Sequence, residues 1–70
     1  MTKTEALANW TKVCRAVLMT RETKPSNLEV AIQYGAMDML NMTKGMTEEA
    51  AAYLINDDAA YMTEKMAKEG

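Results

Sequence analysis

The stretch NLEVAIQYGAMDMLNMT, residues 27–43, decides how this chain is read. Pro25 and Ser26 stand before it and Gly45 stands after it. Proline cannot continue a preceding helix, and it pushes Lys24 toward an extended backbone. Ser26 and Glu29 have the spacing of a capping box, in which each side chain bonds the other's backbone N–H. Gly45 can take the left-handed conformation that closes a helix, with Lys44 suited to the negative end of the dipole. These signals predict a helix over 27–43, read as the central one.

Successive residues placed about 100° apart give this helix two apolar faces. Leu28, Ala31, Ile32, Gly35, Met39 and Met42 form one stripe. Val30, Tyr34 and Met37, with Asn41 among them, lie nearly opposite. A helix with two apolar faces is usually buried between neighbours. The first expectation is that two helices of the same chain cover both faces. The alternative is that the Val30/Tyr34/Met37 face meets another chain. Gly35 is read as a tolerated glycine, close approach of another helix being the alternative.

Outward from this stretch, the first helix is expected over about 3–21. Thr2 and Glu5 form a second capping-box pattern. Leu7, Trp10, Val13, Cys14, Val17 and Leu18 make one apolar stripe of helical period. Trp10, the single tryptophan, is read as a core or interface anchor rather than a ligand-stacking residue. Arg21 should close the stripe by laying its stem over the core edge. Residues 22–25 are short enough for an antiparallel hairpin.

The third segment opens on Thr47 as N-cap, with Glu48 and Glu49 at the positive end of the dipole. Its pattern runs over about 48–68, with Ala51, Leu54, Ile55, Ala59, Met62 and Met66 loosely on one side. Asn56, Asp57 and Asp58 are poor helix formers and good caps, so a break or kink is expected there, giving a fourth helix. Without a break, Asp58 falls near the apolar side. Tyr53 and Tyr61 lie beside or outside that side. The fold expected is all-α: one domain, a small bundle of three helices, or four if the last segment breaks near residues 56–58.

Composition restricts the chemistry. Seventy residues with one cysteine and no histidine leave no internal disulfide and make a structural zinc site improbable. A chain this short has a marginal core, so oligomerisation or unusually close helix packing is expected. The most frequent general acid–base is missing, Ser26 is explained by capping, and the three glycines form no phosphate loop. Cys14 lies on the apolar stripe and reads as a buried structural thiol. The Asn56–Asp58 run lacks the spacing of a calcium loop. No catalytic residue, metal site or cofactor is expected. The triplets at Asn9 and Asn41 match the glycosylation pattern, but no secretory signal accompanies them and they read as chance.

Charge is unevenly placed. Residues 1–26 carry Lys3, Lys12, Arg15, Arg21 and Lys24 against Glu5 and Glu22, a net +3. Residues 46–70 carry six acids against Lys65 and Lys68, a net −4. An acidic third segment opposes use as a recognition helix, so nucleic-acid binding through the basic first helix is only an alternative. Eight methionines serve as core filler or as an adaptable contact surface. No run approaches transmembrane length, and a cytoplasmic location is expected.

The expected function is therefore binding: a small non-enzymatic accessory, regulatory or inhibitor protein acting through helix faces and self-associating. A protein partner is the expected target, with Val30, Tyr34, Met37, Tyr53 and Tyr61 as the interaction residues. A further alternative is a small-ligand sequestering protein, with a pocket between subunits lined by Trp10 or the tyrosines.

Overall fold

The structure is a computed structural model that describes residues 1–20 and 24–69, with side chains through residue 65. Among these residues the chain forms three helices, α1 (Lys3–Leu18), α2 (Pro25–Met42) and α3 (Glu48–Glu69). The fold is a small all-α bundle. Arg21, Glu22, most of the first connection and the Met66 side chain lie outside the described residues.

The capping box at α1 is present. Glu5 N–H donates to Thr2 Oγ1 at 3.2 Å, and Thr2 N–H donates to Glu5 Oε1 at 2.9 Å. At the other end the Met19 N–H donates to the Arg15 carbonyl at 2.9 Å and the Thr20 hydroxyl to the Val17 carbonyl at 2.7 Å. The Thr20 N–H turns to the same Val17 carbonyl at 3.3 Å, an i−3 bond that tightens the last turn, and α1 ends at Leu18 rather than near residue 21.

α2 begins earlier than its capping pattern implies. Pro25 is inside the first turn and Lys24 is the N-cap, with no side-chain cap bond. Proline suits that position, because its fixed φ is already helical and its missing N–H would have no intrahelical partner. Ser26 therefore lies within the helix, and the expected Ser26–Glu29 box is not formed. Beyond the C-terminus, Gly45 has φ +83°, as the turn required. Thr43, almost fully buried, satisfies its hydroxyl on the Met39 carbonyl at 2.7 Å.

α3 starts as expected: the Ala50 N–H donates to Thr47 Oγ1 at 3.2 Å. It does not break at residues 56–58. Asn56 and Asp58 have tertiary partners instead of capping a new helix. Asn56 Nδ2 donates to Met1 Sδ at 2.9 Å, and Asp58 Oδ2 accepts the Trp10 indole N–H at 2.7 Å. A carboxylate bonded to another helix has no need to seek a nearby backbone N–H, so the helical path continues through it.

The helix in the middle is α1, not α2. α1 packs along α3 and also against α2, while α2 and α3 scarcely touch. Arg15 pairs with Glu29 and Trp10 lies on Gly35, so α1 and α2 run antiparallel. The Lys3 N–H donates to Glu48 at 2.7 Å, and Trp10 meets Asp58 further along. α1 and α3 therefore run in the same sense. The core joins Ala6, Trp10 and Cys14 of α1, Ile32 and Met39 of α2, and Ala52, Ile55 and Ala59 of α3. Small residues on α3 let α1 lie close to it.

Gly35 is more than a tolerated glycine. A Cβ built there would stand 2.5 Å from Trp10 Cη2. The indole edge uses the space that glycine leaves, which offsets the cost of about 1 kcal/mol for glycine within a helix. Gly35→Ala should therefore lower stability despite its better helix propensity, by about 1 kcal/mol net, because overpacking costs typically 1–3 kcal/mol. Urea unfolding followed by Trp10 fluorescence measures this, and a stabilised variant would contradict the packing. Asp58→Ala should cost about 1–3 kcal/mol by leaving the indole N–H without its acceptor, and Asp58→Asn should cost less. The same titration ranks the two variants.

Candidate interaction surface

The surface of interest follows from α2 having one principal neighbour. Its inward strip is Leu28, Ile32, Gly35, Ala36 and Met39, all buried or half-buried. Ala31 and Met42, read from the sequence as part of that stripe, are exposed. They lie at its edge, and a helix touching mainly one partner buries a narrower strip than a helix held between two. Among the described residues the opposite face stays open: Val30 is 49% exposed, Tyr34 66% and Met37 57%, with Leu40 on the flank at 43%. The expectation that two helices of the same chain cover both faces of α2 is thus corrected. Positions 30, 34 and 37 follow the three-and-four spacing of one helical face, so they form a continuous row.

Tyr53 and Tyr61 stand on α3, 77% and 61% exposed. Their helix keeps Ala51, Ala52, Ile55 and Ala59 inside, and the tyrosines fall on its other side. Leu54 and Met62 are half-buried at the margin. The five residues expected to make contacts are therefore all at the surface, in two groups on two helices. No contact between the groups is among the described interactions.

Polar chemistry is mostly taken up by packing. Trp10 is 4% exposed, so the only indole is held in the core and is not free to line an intersubunit pocket. Cys14 is buried, and burial, then the charge of Asp58, pushes its thiol above the ordinary range. Glu29 beside Arg15 raises that guanidinium further, through a hydrogen bond and its charge. This pair removes one cation from the outer side of α1, where Lys12 stays exposed. The Thr2 backbone bond, followed by its hydroxyl, holds the Glu5 carboxyl below the usual range. Among the described residues no group of three His, Cys, Asp or Glu could hold a metal ion, and no helix is long and apolar enough to cross a membrane.

Sequence reasoning missed two partners of Trp10, Gly35 and Asp58. A signal for Asp58 was present: on an unbroken α3 it falls by the apolar side, where an ionised group must find a donor. Nothing in the sequence marked Gly35 as the seat of the indole rather than a spare glycine.

Cys14 gives a check on this packing. Its reaction with iodoacetamide at pH 8 should be at least roughly tenfold slower in the folded chain than in urea, since the thiolate is the nucleophile. The unfolded thiol ionises near 9.0, while the folded one keeps its proton to higher pH. Its contribution to stability is complete below pH 9.0 and declines as pH rises above it. Equal alkylation rates in the two states would place Cys14 at the surface.

With this geometry in view, a search for relatives adds none: no protein-family model, curated protein or solved structure matches the chain.

Proposed function

We propose that this chain is a small non-enzymatic binding protein, a regulatory or inhibitor module that acts through exposed helix faces and self-associates. The observation that carries this reading is the uncovered row Val30, Tyr34 and Met37 on α2. Apolar and aromatic side chains at the surface are the raw material of protein interfaces, where tyrosine and methionine are enriched. Tyr53 and Tyr61 on α3 supply a second set of such groups. The residues best suited to chemistry point the other way. Cys14 is buried and Asp58 is bonded to Trp10, so neither is presented to a substrate.

The test is affinity capture from the source cells with three baits: wild type, Tyr34→Glu, and the pair Tyr53→Glu/Tyr61→Glu. The binding reading expects a defined protein held by wild type and reduced by roughly tenfold or more with at least one variant, the loss typical of a central aromatic contact. Circular dichroism should show the variants folded, because these side chains are exposed. Equal recovery with all three baits, or no protein held specifically, would overturn it. A nucleic acid recovered in place of a protein, with retention falling steeply in salt, would favour the basic-helix alternative.

A further inference from the structure

We infer that the occupant of the Val30/Tyr34/Met37 face is a second copy of this chain, with the two α2 helices packed antiparallel about a two-fold axis near Tyr34. This inference rests on the binding reading above and names the partner of one of its surfaces.

Three observations support it. The first is area. A monomeric protein of 7.8 kDa exposes about 4400 Å² by the usual scaling of surface with mass. This chain exposes 5023 Å². The difference, about 600 Å², approaches the ~800 Å² that each partner contributes to a standard interface. The radius of gyration agrees, at 12.2 Å against about 11 Å for a compact domain of this length. The surplus has a structural origin, since α2 lies against α1 and scarcely against α3.

The second is self-compatibility. Along the outward side of α2 the residues are Val30, Gln33, Tyr34, Met37 and Asn41, all exposed and none charged. A two-fold contact sets a surface against itself, so a charged row would repel its own copy, and this one does not.

The third is the placement of charge at the margins, which an antiparallel pair accommodates. Glu29, already paired with Arg15, lies toward one edge of the row and Asp38 toward the other. Antiparallel helices with Val30 of one copy opposite Met37 of the other place the two Asp38 residues nine positions apart. That is roughly 13 Å along the axis, at 1.5 Å per residue, beyond the ~8 Å screening length at physiological salt. The direction follows from the helix dipoles, which oppose each other favourably in the antiparallel pair.

Disulfide trapping tests both partner and direction. Val30→Cys and Met37→Cys are prepared separately in a Cys14→Ala background, with light scattering to give mass. The expected results are a solution mass near twice 7.8 kDa for wild type, a monomer for Tyr34→Glu that keeps its helical spectrum, and disulfide dimers only when the two cysteine variants are mixed. Tyr34→Cys alone should also link, because it lies near the axis. Homotypic links by Val30→Cys and Met37→Cys, without the mixed link, would overturn the antiparallel arrangement. A wild-type monomer at high concentration would overturn self-pairing. The binding reading fails separately, when the capture experiment gives equal recovery with every bait.

Discussion

The indole of Trp10 is the contact on which the three helices converge. Its edge lies over Gly35 of α2 and its N–H is donated to Asp58 of α3. One side chain of α1 thus fixes the position of both other helices. The two contacts differ in kind. The first is steric and works only because position 35 has no Cβ. The second is polar and keeps a part-buried carboxylate supplied with a donor where burial would otherwise be costly. With α1 in the middle, the core is narrow and built largely of small residues, Ala6, Cys14, Ala51, Ala52 and Ala59, around Trp10 and Ile55.

That arrangement explains the surface. A three-helix bundle with all pairs packed would cover more of each helix. Here α2 and α3 are both attached to α1 and scarcely to each other. The chain spans 36 × 26 × 16 Å, a flattened shape with a large area for its mass. The row on α2 and the tyrosines on α3 stay outside as a result. A core centred on α1 leaves the apolar second face of α2 exposed, and the proposed binding function rests on that exposure.

The helix content, the capping at Thr2 and Thr47 and the turn at Gly45 could be read from local sequence, since each depends on groups a few residues apart. The burial of Trp10 and Cys14 could also be read, because a single apolar stripe on α1 has one consistent interior side. The Ser26 cap was misread, because two competing start signals sit side by side and Pro25 prevails by fitting the first turn. The expected break at Asn56–Asp58 was misread for a different reason. Propensity describes an isolated segment, and Asn56 and Asp58 take partners from the N-terminus and α1, far away in sequence.

The sequence by itself determined that this is an all-α chain with two apolar faces on α2, because helical period and caps are local properties. It also marked Val30, Tyr34, Met37, Tyr53 and Tyr61 as the residues not needed by a single apolar side. Only the tertiary structure decided which helix lies in the middle. That choice depends on volumes meeting across the bundle, a tryptophan against a glycine and α1 against a helix of alanines. Periodicity carries no information on such pairings, and the same choice left the second face of α2 uncovered.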